Sequence, residues 1–282
     1  MKTILVPTDF SKNSINAVEY AVALAKKEKA RLILLNAYDF VPPTSDIPIP
    51  TDIIDTMRNE SEIKLRVLSD EIIKRKKVKC EYFSQFNFAV PAIIETARKE
   101  KTNLIVMGTK GASGIKEVLM GSNTASVIEK ATCPVIAVPE SASFDGVKKI
   151  TYATDYRESD IDALKKLIEI AKPFNARITI LHASDEEFSR YSEETYLNDF
   201  KNKVKKKIRY DKISYKLIYG KYLPKALGEE IATSAPDLLA MSTQHRNAVE
   251  KFFGTSITKK MAFHSKIPLM AFHHKKESVV FI

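Results

Sequence analysis

The 282-residue sequence contains no tryptophan, only two cysteines and only eight glycines. Cys80 and Cys133 lack the CxxC spacing of a zinc or redox site, which favours buried, reduced thiols over a disulfide. No run reaches the roughly 18 consecutive apolar residues that a membrane span requires. Asp9 interrupts the first apolar stretch too early for a signal-peptide core. We therefore expect a cytoplasmic protein without a membrane partner.

The composition is otherwise that of an ordinary globular protein. Hydrophobic residues make up 44% and charged residues 28%, which excludes disordered, collagen-like and coiled-coil classes. At about 100–200 residues per domain, the length predicts two domains. The net charge of +10 is concentrated in the second half, around residues 201–209. A solvated lysine-rich helix face is the simpler interpretation of this run, so nucleic acid is not an expected partner, and a surface for an acidic partner is the alternative.

The two halves of the sequence are copies of one another. Residues 8–39 align without a gap on residues 154–185, at an offset of 146. Eleven pairs are identical: Thr8/Thr154, Asp9/Asp155, Ile15/Ile161, Ala17/Ala163, Ala25/Ala171, Lys26/Lys172, Ala30/Ala176, Arg31/Arg177, Leu35/Leu181, Ala37/Ala183 and Asp39/Asp185. This similarity predicts a tandem duplication, with domains at 1–140 and 147–274, a polar linker between them and a C-terminal tail at 275–282.

Each copy alternates strand-like and helix-like patterns. In the first copy the predicted strands are Thr3–Pro7, Leu32–Leu35, Val78–Phe83, Leu104–Met107 and Pro134–Val138. Predicted helices begin at the N-cap Ser11, after a proline-rich loop at 41–50, at Pro91 and at Ser122. The second copy repeats the strands at Ile150–Ala153, Arg177–Leu181, Lys212–Tyr219, Leu238–Met241 and Pro268–Phe272. Continuous apolar strands between helices predict an α/β fold with two tandem copies of an open five-stranded parallel sheet flanked by helices.

Half of the glycines lie in one short window: Gly108, Gly111, Gly114 and Gly121. Their pattern, G-x2-G-x9-G-S, is neither GxxxxGK[ST] nor GxGxxG. Glycines between a strand and a helix let the backbone approach a ligand closely. The helix that opens at Gly121 offers unpaired N–H groups and its positive dipole end to an anion, with hydroxyls at Ser122 and Thr124 as further donors. The window therefore predicts a phosphate site at the carboxyl edge of the sheet.

Three segments together resemble the universal stress protein family in its tandem two-domain form: Ile4-Leu-Val-Pro-Thr-Asp-Phe-Ser11, the glycine motif, and Cys133-Pro-Val-Ile-Ala-Val-Pro139. The resemblance covers essentially the whole chain. It implies a Rossmann-like fold related to the adenine nucleotide α-hydrolases, pairing of domains through the last strand and, in one subgroup, ATP binding. The implied cofactor is ATP, with Mg²⁺ accompanying its phosphates. The implied nucleotide-binding residues are Pro7, Thr8, Asp9, Ala37, Met107, Gly108, Thr109, Gly111, Gly121, Ser122, Asn123 and Thr124.

The resemblance also implies a role for each part of this site. Asp9 would contact the adenine edge, beside Pro7 and Thr8, and Ala37 would line the adenine pocket. Met107 and Gly108 would approach the ribose, while the later glycines, Ser122 and Asn123 would hold the phosphates. The structural alternatives are that Asp9 caps the first helix and that Ala37 and Met107 are ordinary core residues.

The second copy departs from the glycine motif. Ser242 and His245 stand where the first copy has Gly108 and Gly111, and the loop is one residue shorter, although Gly254-Thr255 still opens a helix. A side chain at each former glycine would block close backbone approach to a triphosphate. We therefore predict one nucleotide site per chain, in the first copy, and infer that the fold itself does not require these two glycines.

Catalytic motifs are not found. The sequence has no GxSxG elbow, and its five histidines lack the helical pairing of a zinc site, so no catalytic residue or metal site is predicted. The leading hypothesis is an ATP-binding stress-response regulator. The alternatives are a slow ATP hydrolase or nucleotidyl/phosphoryl transferase, and an interaction scaffold that acts through residues 201–209.

The last strand of each copy is an apolar edge that requires a partner. Val135–Val138 and Leu269–Phe272 would satisfy each other by pairing within the chain, which predicts an intramolecular pseudo-dimer. Two chains could then pair further as a homodimer.

Overall fold

The computed structural model describes residues 1–40, 51–109, 120–184, 190–243 and 267–273. The chain divides into two compact units, Met1–Phe144 and Asp145–Ile282. Each unit contains a parallel sheet with helices against it, so the predicted fold class is confirmed. Within the described ranges, no helix has the length and apolarity needed to cross a membrane.

Five parallel strands form the sheet of the first unit, in the order β3-β2-β1-β4-β5. The strands are β1 (Thr3–Pro7), β2 (Arg31–Tyr38), β3 (Cys80–Phe86), β4 (Leu104–Gly108) and β5 (Val135–Val138). The helices are α1 (Lys12–Glu28), α2 (Thr51–Glu71), α3 (Ala89–Lys99) and α4 (Ser122–Lys130). One π-helical turn, Ile72–Lys76, extends α2. β3 begins two residues later than predicted, because Val78 is buried outside the ladder.

The central strands of this sheet create a crevice at their carboxyl ends. α1 packs against β1, β4 and β5, whereas α4 contacts α3 and β5. The chain moves from β1 to β2 in one direction across the sheet and from β4 to β5 in the other. Because parallel crossovers are right-handed, α1 and α4 lie on opposite faces. The carboxyl ends of β1 and β4 therefore form the topological switch point, where ligands bind in such sheets.

The second unit repeats this arrangement. Its strands are β6 (Lys149–Ala153), β7 (Arg177–Ser184), β8 (Ile213–Tyr219), β9 (Leu238–Thr243) and β10 (Leu269–His273), in the order β8-β7-β6-β9-β10. The helices are α5 (Glu158–Phe174), α6 (Arg190–Lys207) and α7 (Leu223–Ser234). Corresponding residues occupy corresponding registers, since Ile4 pairs with Leu104 and Ile150 pairs with Leu238.

Several predicted features lie outside the described residues. They are the proline-rich loop at 41–50, Gly111 and Gly114 in the glycine window, His245 and Gly254-Thr255 in the second copy, and the tail at 275–282.

Candidate functional site

The chain turns sharply where β1 ends at the crevice. Thr8 is buried, and its amide donates to the carbonyl of Leu35 on β2 at 2.8 Å. Phe10 adopts a left-handed backbone conformation with φ of 62°, and its amide donates to Thr8 Oγ1 at 3.0 Å. The turn directs the chain into α1, and Tyr156 repeats it in the second copy with φ of 60°.

Asp9 takes part in capping α1. Its Oδ1 atom accepts from the amide of Ser11 at 3.0 Å and from Ser11 Oγ at 2.6 Å. Ser11 is the N-cap residue, as predicted, and its Oγ accepts from the amide of Ser14. The side chain of Asp9 thus bonds to the N-cap residue of α1. It is exposed, and its contact with adenine stays a prediction.

Asn36 is a site residue that the sequence reasoning missed. It is buried on β2 next to Ala37, and its Nδ2 atom donates to the carbonyl of Thr8 at 2.7 Å. This bond fixes the turn after β1 from the side of β2. Asn36 directly follows the apolar run Leu32–Leu35, so its amide is a single polar group in an otherwise apolar strand. A buried amide at such a place needs a hydrogen-bond partner, and this was its signal in the sequence.

Gly108 packs closely against Asn13 of α1. A Cβ atom at position 108 would lie 1.9 Å from Asn13 Oδ1 and 3.1 Å from the carbonyl oxygen of Asn13. The glycine is therefore tied to the side chain of Asn13. The second copy changes both partners, with Ser159 at the position of Asn13 and Ser242 at that of Gly108, so the expectation that the fold itself does not require this glycine stays a prediction.

Asn13 has an unusual environment in the first turn of α1. The residue is only 4% exposed, and neither Oδ1 nor Nδ2 has a hydrogen-bond partner among the residues that the structure describes. Burying an amide without partners costs about 1–3 kcal/mol for each unsatisfied group. This destabilising feature lies against the last residue of β4, at the floor of the crevice.

Hydrogen bonds close the glycine window at its two ends. The amide of Thr109 donates to the carbonyl of Val138 at 3.0 Å, and the amide of Gly121 donates to the carbonyl of Thr109 at 2.7 Å. Thr124 Oγ1 donates to the carbonyl of Gly108 at 2.8 Å. The start of α4 is thereby held beside the end of β4. The hydroxyl of Thr124 is used in this link, which differs from its expected role as a phosphate donor.

The N-terminus of α4 lies at this junction and has no side-chain cap in the described part of the chain. Gly121 is the N-cap residue and makes no side-chain hydrogen bond to the helix. Ser122 and Asn123, the first two helical residues, are exposed. Uncapped N–H groups and the helix dipole make such an end suitable for an anion. Of the remaining predicted residues, Pro7 ends β1, and Met107 is buried on β4, as a core residue would be.

The corresponding crevice of the second copy contains a buried carboxylate. Asp160 stands at the position of Ser14 and accepts from the Tyr152 hydroxyl at 2.8 Å, from Thr154 Oγ1 at 2.7 Å and from the amide of Arg157 at 3.0 Å. Burial raises the pKa of Asp160 above its ordinary value, although these hydrogen bonds act in the opposite direction. Burial, followed by the charge of Asp160, raises the pKa of Tyr152.

Aromatic side chains fill the neighbouring part of the second crevice. His182 replaces Asn36, and its Nδ1 atom lies 2.6 Å from the carbonyl of Thr154. The ring of Tyr156 lies 4.2 Å from that of His182 and 5.4 Å from that of Phe200, measured between centroids. Glu193 Oε2 lies 3.4 Å from His182 Nε2. Side chains of the protein thus occupy the side of the crevice that Phe10 and Asn36 flank in the first copy.

The basic run at 201–209 lies largely on α6. Val204 and Ile208 are buried, whereas Lys203 and Lys207 pair with Glu158 on α5. Lys201 lies over the ring of Tyr215, with Nζ 5.5 Å from the ring centroid. This is the arrangement of an amphipathic helix whose solvated face is rich in lysine.

Comparisons with known proteins agree with the geometry of both copies. A family model described as the universal stress protein family matches residues 1–139 and again residues 146–273. Universal stress protein YxiE of Bacillus subtilis is 33% identical over 143 residues, which cover 48% of this chain and 97% of the relative. Universal stress protein MJ0531 of Methanocaldococcus jannaschii is 34% identical over 144 residues, covering 49% of this chain and 81% of the relative. The crystal structure of a universal stress protein from Archaeoglobus fulgidus matches with a TM-score of 0.73 and 21% identity, covering 96% of this chain and 98% of that chain.

Proposed function

The chain belongs to the universal stress protein family, and from that premise we propose that its first copy binds one adenine nucleotide, ATP, between the ends of β1 and β4. The observation that supports this most is the position of the N-terminus of α4. The bonds from Gly121 to Thr109 and from Thr124 to Gly108 hold that uncapped helix end at the crevice. Its N–H groups would receive the phosphates.

The residues of the first copy fit the remaining parts of a nucleotide. The side chain of Asn13 packs into the space that a Cβ of Gly108 would take, and its carboxamide has no hydrogen-bond partner among the described residues. The exposed carboxylate of Asp9 and the partly exposed Ala37 lie at the ends of the neighbouring strands. With the phosphates at the N-terminus of α4, these positions suit the base and the sugar of the nucleotide, which would lie between α4 and strand β2. Mg²⁺ would be bound through the phosphates.

The second copy does not share this fit. Asp160 places a buried carboxyl group under the corresponding crevice, where it would oppose an anionic ligand. Tyr156 and His182 stack in the space beside it. These features support one nucleotide per chain. We also infer that the two family domains form an intramolecular pseudo-dimer through their last strands.

We propose that the nucleotide acts as a regulatory ligand. The described side chains that reach the crevice are chiefly hydroxyls and amides, and the carboxylate of Asp9 is bonded to Ser11. Hydroxyls and amides do not act as general bases near neutral pH. Occupancy of the crevice would instead alter the conformation or partners of the protein.

Isothermal titration calorimetry of the full chain with ATP and Mg²⁺ tests the proposal. We expect one equivalent per chain in the wild type. Asn123→Asp should weaken ATP binding at least about tenfold, because its carboxylate repels the phosphates, while helix stability is kept or increased by the added charge at the N-terminus. Asn123→Ala is the matched control: it removes the same amide without adding a charge and should weaken ATP binding less than Asn123→Asp does.

Three results would contradict the proposal. Absence of ATP binding by the wild type would refute it, and two equivalents per chain would refute the assignment to the first copy alone. Recovery of ADP instead of intact ATP after the titration would favour the hydrolase alternative.

A further inference from the structure

We propose that Asn13 recognises the ribose of the bound nucleotide through its 2′- and 3′-hydroxyls, so that the site selects ribonucleotides over deoxyribonucleotides. This inference rests on the proposed function of the first copy. It concerns a residue of α1 that lies outside the glycine window and outside the segment Ile4–Ser11.

The position of Asn13 brings its carboxamide to the crevice. α1 starts directly after the turn at Thr8–Phe10, and Asn13 is its second residue. Its Oδ1 atom packs on Gly108 so closely that a Cβ there would overlap with it. Thr8 directly follows β1 and Gly108 ends β4, the two strands between which the switch point opens. The amide therefore lies beneath the place where a ligand would cross from one strand to the other.

The hydrogen-bonding state of Asn13 indicates which part of a nucleotide it would contact. Its carboxamide offers both a donor and an acceptor, and within the described ranges both are without partners although the residue is 96% buried. A phosphate offers acceptors and would leave Oδ1 unpaired. Neighbouring ribose hydroxyls each donate and accept, so a ribose satisfies both amide atoms at once.

The second copy shows that the fold does not need this pair. Ser159 stands there at the position of Asn13, and Ser242 stands at that of Gly108. Ser242 on β9 pairs with Phe272 on β10, just as Gly108 on β4 pairs with Val138 on β5. A large amide over a glycine in one copy corresponds to two small hydroxyl residues in the other. The hydroxyls of Ser159 and Ser242 are also buried without a hydrogen-bond partner in the described part of the chain. What distinguishes the first copy is an amide, which presents a donor and an acceptor that a ribose would match.

The exchange of residues between copies supplies the experiment. The double variant Asn13→Ser, Gly108→Ser gives the first copy the pair that the second copy already accommodates. In Gly108→Ser alone, the new Cβ overlaps with the Asn13 carboxamide. Asn13→Ser alone removes the carboxamide and leaves the space that it filled beside Gly108 empty. Each full-length variant is titrated with ATP, 2′-deoxyATP, 3′-deoxyATP and inosine triphosphate, and its melting temperature is measured without ligand.

In the wild type we expect ATP to bind about tenfold more tightly than either deoxynucleotide, the value of one good hydrogen bond. The double variant should melt within a few degrees of the wild type and bind all three adenine nucleotides with equal affinity. Asn13→Ser alone should also lose the preference, and Gly108→Ser should melt at the lowest temperature.

Other results would overturn the inference. A ribose preference that survives in both variants lacking Asn13 would assign it to another residue. A wild type that binds ATP and the deoxynucleotides equally would remove its basis. If a variant lacking Asn13 bound inosine triphosphate as tightly as ATP but still preferred ATP to the deoxynucleotides, Asn13 would contact the edge of the base. Absence of binding of every nucleotide by the wild type would instead refute the proposed function itself.

Discussion

The hydroxyl of Tyr152 donates to Asp160 Oδ1 at 2.8 Å, in the interior of the second copy. In the first copy the corresponding residues are Val6 and Ser14, and Ser14 Oγ lies 3.0 Å from Thr8 Oγ1. The duplicated domains therefore share backbone geometry and differ in charge beneath the crevice. This difference gives the second copy a titratable group that the first copy lacks at this position.

The stability of the protein should depend on pH through Asp160. Burial raises its pKa, so the folded protein binds this proton more tightly than the unfolded chain does. The associated free energy of unfolding is fully present below the ordinary carboxyl pKa of about 4 and is lost as the pH rises through the folded pKa. Asp160→Asn should make urea-induced unfolding, followed by circular dichroism, less dependent on pH above about 4.

A matched control for this experiment lies on the same helix. Asp162 pairs with Lys165, and its side chain is 66% exposed, so Asp162→Asn should leave the dependence due to Asp160 in place. If Asp160→Asn retained the full pH dependence of the wild type, the carboxyl group of Asp160 would not be its source.

The link between Asn36 and Thr8 should be replaceable by the residue of the second copy. Asn36→Leu leaves the carbonyl of Thr8 without the donor at 2.7 Å, and we expect the free energy of unfolding to fall by about 1–3 kcal/mol. Asn36→His should lose less, because His182 reaches the equivalent carbonyl of Thr154. Equal losses in the two variants, measured by urea unfolding, would show that packing and not the hydrogen bond determines the effect.

Cys80 should behave as an inert thiol in the native protein. Burial raises its pKa to about 11, so at pH 8 only about one thiol in a thousand is the reactive thiolate. With Cys133→Ser removing the part-exposed second cysteine, Ellman's reagent should label the native protein at most very slowly. Labelling should reach one thiol per chain in denaturing urea. Rapid, complete labelling under native conditions would contradict the buried position.

The sequence predicted the main elements of this fold because their signals are local. Apolar runs such as Leu32–Leu35 identify buried strands without information from distant residues. The N-cap at Ser11 is predicted for the same reason, and α4 begins at Ser122 as predicted. The π-helical turn at Ile72–Lys76 was missed, because nothing in its composition distinguishes it from a continuing α-helix.

The missed parts of the site depend on residues far apart in the chain. Asn13 and Gly108 are brought together by the packing of α1 on β4. The sequence could therefore suggest a ligand as the reason for Gly108, but it could not show that Asn13 packs against it. The two copies differ in this contacting pair as a whole, with Asn13 and Gly108 in one and Ser159 and Ser242 in the other. A single position of the sequence does not show such compensation.

The chain that follows β5 is fastened to the first unit. Asn16 Nδ2 on α1 donates to the carbonyls of Pro139 and Ala142, at 2.8 and 2.9 Å. The ring of Phe144 meets that of Tyr20 edge-on, with centroids 4.8 Å apart. The family match ends at residue 139, before most of these contacts are made. A protein shortened to that boundary would leave the Asn16 amide without one of its two acceptors and Tyr20 without its aromatic neighbour, so the packed first unit extends to Phe144.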